Sequence, residues 1–328
     1  MKPGNQAMVW LGVAVVLAAC GEAASDTDAA DEEPTGPQYA GETVLLEESW
    51  TIPEGETVRV GPGTTFEAAS GVAIRVEGSL IVEGDADSPV AFLGGDEPRS
   101  WEGLVVASGG YLELTHARIA GATYGIHAMP GSDFSVDYAD IGTSFKAAVI
   151  ESDGLFDHTK FHASGDSTSA PTTDASIDDV NGALTIINAS PTVKNSTFDN
   201  SAPYVNMVQV GGANSQPTFD HIAITDGHCG IHVYGQPDNP PVITNAIFEG
   251  LPYAVMAFAT KIEIRDSVFL DNTNDVGFCF EATDEDAPSL SNNYYSSGLR
   301  LDASCTQIGT ADDSPAAEAN PDAGPVGL

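Results

Sequence analysis

An eight-residue pattern occurs eight times between residues 112 and 295, and it constrains the fold more than any other feature. Each copy has a bulky apolar last residue, and these residues are 20 to 26 positions apart except for one step of 37. A repeat of this length indicates a solenoid whose units bury their apolar faces on their neighbours. The copies are LELTHARI, FSVDYADI, GLFDHTKF, PTVKNSTF, PTFDHIAI, PVITNAIF, IEIRDSVF and PSLSNNYY.

The spacing within the pattern predicts short β-strands joined by a tight corner. The first and third positions have the same parity, as the inward side chains of one strand require, and helical spacings of three and four are absent. Apart from one Tyr, the fifth position holds residue types that tolerate positive φ. We therefore expect these residues to form a structural ladder, with corners about 4.8 Å apart in stacked coils. The ladder residues are His116, His158, Asn195, His221, Asn245, Asp266 and Asn292, and the Tyr at the fifth position of the second copy is Tyr138.

The chain resembles the right-handed parallel β-helix, or pectin-lyase-like, family. The repeats carry this resemblance, together with SWTIPEGETVRVGPGTTF from Ser49, IRVEGSLIVEG from Ile74 and SWEGLVV from Ser100. It implies an all-β fold, a single-stranded right-handed parallel β-helix solenoid of about 9–11 coils over residues 41–310. Lyases, hydrolases, epimerases, adhesins and non-catalytic surface proteins share this fold, so the fold alone assigns no function.

The N-terminus is similar to a bacterial lipoprotein signal. Lys2 precedes an apolar run from Met8 to Ala19, which is too short to span a bilayer, and a lipobox ends at Cys20. The resemblance implies a signal peptide over 1–19 and lipidation of Cys20, and the polar composition of 20–40 predicts a disordered acidic tether. The expected location is the outer membrane, on its cell-surface or periplasmic face. An ordinary secretory signal with an incidental Cys is the alternative.

The composition is strongly acidic, with 11 Lys and Arg against 48 Asp and Glu and a formal net charge of −37. Such a charge repels nucleic acid, so no nucleic-acid partner is expected. The carboxylates would either bind Ca²⁺, which favours several oxygen ligands, or keep the protein soluble in saline surroundings. No Ca²⁺-binding loop motif occurs, so the sequence names no metal site and no cofactor.

Three further cysteines lie in the repeat region. Cys279 and Cys305 each follow the last residue of a repeat by ten positions, which predicts that they stack on adjacent coils and form a disulfide. Cys229 lies in a different register and is expected to be free. The segment 311–328 either covers the open end of the solenoid or is a disordered tail.

Few residues outside the repeat suggest chemistry. Asp226, His228 and His232 share strand parity and are weak candidates for a metal or ligand site, although a turn and a strand end also explain them. Asp178 and Asp179 would mimic a catalytic carboxylate pair but also fit a solvated loop. They belong to the long 37-residue step, whose surplus at 162–182 is either a ligand-binding loop or a tolerated insertion.

The sequence therefore favours a non-catalytic, membrane-anchored protein with a binding, adhesion or structural role. Its expected partners are the membrane, through Cys20, and an extracellular polysaccharide or a surface protein. The alternative is a polysaccharide lyase or glycoside hydrolase on the same fold. An enzyme requires a groove in which two carboxylates, or a carboxylate, Ca²⁺ and a basic residue, reach one sugar ring.

Overall fold

The computed structural model describes residues 36–95, 99–163, 182–199, 205–234, 240–258, 260–277, 288–301, 316 and 318–327. Within these ranges every regular element is a β-strand, and no helix has the length and apolarity needed to cross a membrane. The signal segment 1–19, most of the tether, Cys20, Cys279 and Cys305 lie outside the described residues.

The strands form three ladders in which each strand pairs in parallel with the strand one coil away. The first ladder contains β3 (Thr57–Val60), β6 (Ser79–Glu83), β9 (Tyr111–Ala120), β11 (Asp133–Ser144), β13 (Gly154–Asp157), β16 (Thr192–Lys194), β19 (Thr218–Asp220), β22 (Val242–Thr244), β25 (Glu263–Arg265) and β28 (Ser289–Ser291). The second ladder contains β1 (Thr43–Leu46), β4 (Thr65–Ala68), β7 (Val90–Leu93), the second halves of β9 and β11, β14 (Lys160–Ala163), β17 (Thr197–Asp199), β20 (Ala223–Thr225), β23 (Ile247–Glu249), β26 (Val268–Leu270) and β29 (Tyr294–Tyr295).

The third ladder completes each coil. It contains β2 (Trp50–Ile52), β5 (Ala73–Val76), β8 (Gly103–Val106), β10 (Tyr124–Ala128), β12 (Lys146–Ile150), β15 (Gly182–Ile187), β18 (Asn206–Gly211), β21 (Cys229–Val233), β24 (Tyr253–Ala257) and β27 (Asn274–Gly277). Ten stacked strands correspond to about nine turns. The predicted parallel β-helix is confirmed.

The interior is a continuous apolar core, because the repeat places its third and last residues inside every coil. The third-position residue is at most 4% exposed in all eight repeats, from Leu114 to Leu290. Last-position rings stack on one another between coils: Phe161 on Phe198 at 4.7 Å between ring centres, and Phe248 on Phe269 at 5.0 Å. This burial is the main source of stability, since each coil has little apolar surface to bury without its neighbours.

The long step in the repeat does not interrupt the stacking. Phe161 pairs with Phe198 although 37 residues separate them, and Ala148 pairs with Leu184 on the third ladder. The register is therefore the same on both sides of the long step, in β14 with β17 and in β12 with β15. Residues 164–181, which include Asp178 and Asp179, lie outside the described residues.

The corner between the first and second ladders has the backbone that the repeat predicts. All eight fifth-position residues have positive φ, between 45° and 55°. Left-handed backbone turns the chain sharply between two strands, and Asn, Asp and His accept it at the lowest cost after Gly. Tyr138 also adopts it, at 50°.

Polar side chains inside this corner satisfy the backbone groups that the turn leaves unpaired. The Ser196 hydroxyl donates to the carbonyl of Lys194 at 2.7 Å and accepts from the backbone N–H of Thr159 at 3.1 Å. The Asn293 amide accepts from the N–H of Ser267 at 3.0 Å and donates to the carbonyl of Ile264 at 2.9 Å. Buried polar groups are thus bonded from coil to coil.

The described C-terminal residues lie along the outside of this corner. The Asn320 amide donates to the carbonyl of Asp266 at 2.8 Å, and the N–H of Gly324 donates to the carbonyl of Asn245 at 2.7 Å. Gly327 lies beside the ring of His158. The segment therefore follows the solenoid axis back over several coils, with a turn at Asn320–Ala323.

Candidate functional site

We call the line of fifth-position residues from His116 to Asn292 the corner column. In the first three copies of the repeat, the corner column is a stack of three rings. His116 and Tyr138 have ring centres 4.7 Å apart, and Tyr138 and His158 have ring centres 4.3 Å apart with nearly parallel planes. Tyr138 is 39% exposed, which is unusual for a large side chain in this structure. The stack is thus accessible from solvent at Tyr138.

In the later copies of the repeat, amide–carboxylate hydrogen bonds hold the residues of the corner column. The Nδ2 atoms of Asn195 and Asn245 donate to Oδ1 of Asp157 and Asp220, each at 2.8 Å. Asn292 donates to Asp266 at 2.6 Å. These contacts give the ladder residues a structural role, because each bond joins one coil to the next.

A charged cluster flanks the ring stack at the end of the first ladder. Asp137, Asp157 and Lys194 are register partners in adjacent strands, so their side chains point to the same outer face. Lys194 Nζ lies 2.8 Å from Asp157 Oδ2, and His158 Nδ1 lies 2.9 Å from Asp157 Oδ1 and 3.3 Å from Asp137 Oδ1. Two carboxylates, an imidazole and an ammonium therefore meet at one place.

In this cluster, the Asp157 carboxylate and the Lys194 ammonium stabilise each other's charged forms. Burial acts to raise the pKa of Asp157, but hydrogen bonds from Lys194 and Asn195 outweigh it and lower that pKa. The hydrogen bond to Asp157 raises the pKa of Lys194. A general acid or base needs a pKa shifted towards the working pH, and these shifts go the other way.

The same cluster contains the one group of metal-ligand type in the described part of the chain. One ligand atom each from Asp137, Asp157 and His158 lies within 4.8 Å of the others. Lys194 already holds Asp157 and would repel a cation there. The Ca²⁺ expectation therefore stays a prediction without support from this geometry.

A second charged group lies on the outer face of the second ladder. His162 is placed between Asp140, with Nε2 3.3 Å from Oδ1, and Asp199, which contacts Nδ1. The hydrogen bond from His162 lowers the pKa of Asp140, and the bond to Asp140 raises the pKa of His162 despite partial burial. The three side chains are partly exposed, and the two ion pairs of His162 connect three adjacent coils.

The three weak candidates Asp226, His228 and His232 do not form a common site. Asp226 is exposed in the turn before β21 with φ of 63°, whereas His232 is 9% exposed within β21. Burial lowers the pKa of His228, and burial together with His228 lowers the pKa of His232 to about 4. His232 is therefore a neutral, buried imidazole at neutral pH.

The cysteine predictions have different outcomes. Cys229 is a free, buried thiol, as its register predicts, and burial raises its pKa to about 12. A thiol with this pKa is not a nucleophile at neutral pH. The Cys279–Cys305 disulfide falls outside the described residues and stays a prediction.

A shallow depression lies near the C-terminal coils. It has an empty volume of about 130 Å³, and its lining includes Asp271, Asp275, Ser296 and Arg300. Burial raises the pKa of Asp275, whose Oδ2 accepts a hydrogen bond from the backbone N–H of Arg300 at 2.8 Å. Ligand pockets usually enclose about 300–1,000 Å³, so this depression is smaller than a usual small-molecule site.

The fold defines the chain as a parallel β-helix repeat protein. No protein-family model matches the chain, and no curated protein matches it. Among solved structures, it is similar to the crystal structure of an alginate lyase from Paenibacillus sp. str. FPU-7, at 16% sequence identity. That match covers 79% of this chain and 97% of the other, with a TM-score of 0.37, which is too low to carry an argument about activity.

Sequence reasoning missed the charged cluster although its signal is present. Asp137, Asp157, Lys194 and Asp220 all occupy the fourth position of the repeat, next to the corner. Because the fourth position points outward on stacked strands, the same alignment predicts that these charges are neighbours.

Proposed function

We propose that the protein is a non-catalytic, lipid-anchored β-helix protein that binds an extracellular or envelope glycan along the corner column. The observation that carries this proposal is the exposed ring stack beside the charged cluster of Asp137, Asp157, His158 and Lys194. Aromatic rings contact the apolar faces of sugars, and fixed charged groups bond their hydroxyls.

The shape of the site suits an extended polymer. Corner residues recur at the strand spacing of about 4.8 Å on a rigid rod. The C-terminal segment already lies along the same column, through Asn320 and Gly324. A glycan chain would lie along the coils of the first three repeat copies, where Tyr138 is exposed.

The electrostatics support binding without catalysis. The pKa of Asp220 is lowered as well, because hydrogen bonds from Thr244, Asn245 and His221 outweigh the effect of its burial. These carboxylates are held ionised and hydrogen-bonded by neighbours. Binding requires only such fixed groups, whereas acid–base chemistry requires a proton that moves near neutral pH.

Binding is tested with the full-length protein in a detergent that has no sugar headgroup, against a panel of neutral and acidic polysaccharides. Tyr138→Asn removes the ring but keeps a residue that tolerates positive φ, and Lys194→Ala removes the ammonium. Each is expected to raise Kd about tenfold, since one stacking or charged contact contributes about 1.4 kcal/mol. Lys261→Ala is the matched control, because Lys261 is exposed elsewhere on the solenoid.

The same incubation separates binding from catalysis. Retention of polysaccharide with no new reducing or unsaturated ends supports the proposal. Binding to no member of the panel contradicts it, and so does unchanged affinity in both column variants.

A polysaccharide lyase or glycoside hydrolase is the second candidate. The observation that favours it is Asp275, a carboxyl with a raised pKa beside Arg300 in the depression near the C-terminal coils. Release of products that stops in Asp275→Asn, with Asp271→Asn as the matched control in the same depression, would establish this function instead.

The anchor is a separate part of the proposal. Lipidation of Cys20 would attach the solenoid to the outer membrane through the segment 20–40. We expect Cys20→Ser to abolish incorporation of labelled fatty acid in a bacterial host and to leave residues 1–19 uncleaved. Fatty-acid labelling and an N-terminal mass measurement check this, with Cys229→Ser as the control. Continued labelling of Cys20→Ser would contradict the anchor.

A further inference from the structure

The seventh position of the repeat changes character along the solenoid. In the first four copies it is charged or polar, whereas in the last four it is apolar or aromatic. Each of the later four residues precedes the buried last residue of its repeat, so alternation places their side chains on the outer face of the second ladder. They are register partners in adjacent coils, and we call them the apolar stripe: Ala223, Ile247, Val268 and Tyr294.

The apolar stripe is shielded from solvent although it faces outward. Val268 is only 4% exposed, and the other three residues are half-buried. By contrast, Arg118 and Lys160, which hold the same position in earlier coils, are exposed. Burial of an outward apolar row is favourable, because it removes apolar surface from water. The C-terminal segment, residues 318–327, lies beside this row and contributes to its burial.

Specific contacts dock the C-terminal segment beside the apolar stripe. The Asn320 amide donates to Oδ1 of Asn245 at 3.1 Å and to the carbonyl of Asp266 at 2.8 Å. The N–H of Gly324 donates to the carbonyl of Asn245 at 2.7 Å. Gly324 is buried against Ile247, and a β-carbon added to it would lie 2.7 Å from Ile247 Cδ1. The segment is therefore held by directed hydrogen bonds and by close packing.

The sequence Asn-Pro-Asp-Ala-Gly from Asn320 gives the segment the shape in which it docks. Asn320 Oδ1 accepts from the N–H of Asp322 at 3.0 Å, and the Asn320 carbonyl accepts from the N–H of Ala323 at 3.2 Å, which forms the turn. Gly324 follows with φ of 93°, a value that a β-branched residue almost never adopts. Both the backbone and the packing at position 324 therefore require glycine.

The far end of the segment reaches the ring stack of the corner column. Gly327 lies against the ring of His158, so that an added β-carbon would be 3.4 Å from Nε2. The His158 side chain is 16% exposed. Val326, the residue before Gly327, is 56% exposed. The docked segment therefore covers the Nε2 edge of His158 with an end that is itself open to solvent.

We propose that residues 318–327 form a releasable strap that controls access to His158 and to the ring stack beside it. When the strap is docked it covers the His158 ring, and when it is released it opens that ring and the apolar stripe. The effect on glycan binding rests on the proposed function, because a polymer that extends along the corner column past Tyr138 has to displace the strap. A site that is open about one tenth of the time binds with an apparent affinity about tenfold lower.

Release of the strap is tested in the full-length protein with Gly324→Val, which combines an unfavourable φ with a clash against Ile247 and changes no residue of the coils. Hydrogen exchange read by mass spectrometry follows the strap itself. Labelling with diethylpyrocarbonate, which acylates accessible imidazole nitrogens, follows His158 by peptide mapping. We expect faster exchange in the strap and labelling of His158 up to about tenfold faster, because access then no longer waits for local opening.

Two references separate release from general loosening. His116, at the other end of the ring stack, should be labelled at the same rate in wild type and Gly324→Val. Gly109→Val is the matched control: Gly109 also has a positive φ, 82°, but an added β-carbon there meets no other part of the chain within 4 Å. It should leave the labelling of His158 unchanged.

A synthetic peptide of residues 316–328 tests the docking site directly. Added to the Gly324→Val protein at about 1 mM, the effective concentration that a short tether supplies, it should dock beside the apolar stripe and slow the labelling of His158 again. The same peptide carrying Gly324→Val should have no effect. Recovery with the wild-type peptide also shows that the coils of the variant are folded.

Wild-type exchange and labelling in Gly324→Val overturn the proposal, and so does faster labelling that the wild-type peptide does not reverse. Polysaccharide retention is compared in the same two proteins. Tighter retention by Gly324→Val supports inhibition by the strap, and equal retention overturns the inhibition. Retention by neither protein contradicts the proposed function alone, and the labelling of His158 still decides whether the strap covers that ring.

Discussion

Replacing Phe198 with Ala is expected to lower the free energy of unfolding by about 3–5 kcal/mol, the range for deletion of a buried aromatic side chain. Phe198 is 1% exposed and stacks on Phe161 with ring centres 4.7 Å apart. This contact joins the coils on either side of the 37-residue step. The loss of ring contacts would therefore weaken the packing between these two coils.

Urea unfolding followed by far-UV circular dichroism measures this change. A solenoid is stabilised by contacts between neighbouring coils, so weakening one interface should also broaden the transition. Leu45→Ala is the control, because Leu45 is 57% exposed and its truncation should change the midpoint little. A Phe198→Ala midpoint equal to that of Leu45→Ala would show that the two halves are not joined through this stack.

Acidification from pH 6.5 to pH 4 is expected to remove about 3 kcal/mol of stability through His232 alone. Burial lowers its pKa to about 4 in the folded protein, whereas an unfolded chain has the ordinary His value near 6.5. Between these values the unfolded state binds the proton and the folded state does not, so the free energy of unfolding decreases as the pH falls. Well below pH 4 both states are protonated and this contribution is constant.

His232→Gln should abolish that part of the pH dependence, which is measured as the difference between wild-type and variant unfolding curves at each pH. His162→Gln is a control of opposite sign. The pKa of His162 is raised, so its pairing with Asp140 stabilises the fold fully below pH 6.5 and is lost as the pH rises. An identical slope in wild type and His232→Gln would show that His232 is not buried as the structure has it.

Much of the candidate site follows from the repeat once it is aligned. The fifth position predicts the left-handed corner, and the fourth position brings Asp137, Asp157 and Lys194 together. Both follow because side-chain direction alternates along a strand and each coil repeats the one before. Asp226, His228 and His232 show the limit of this reasoning, since shared parity does not reveal that one is exposed and another buried.

The sequence by itself determined the parallel β-helix, its inward residues and its corner, because these depend on local alternation and on a period that every coil repeats. Only the tertiary structure decided that Thr185, Gln209 and His232 meet on one buried face with unpaired atoms. The physical reason is that these register pairings join residues 23 and 24 positions apart, across steps of unequal length, so their register is set by the packing of the coils.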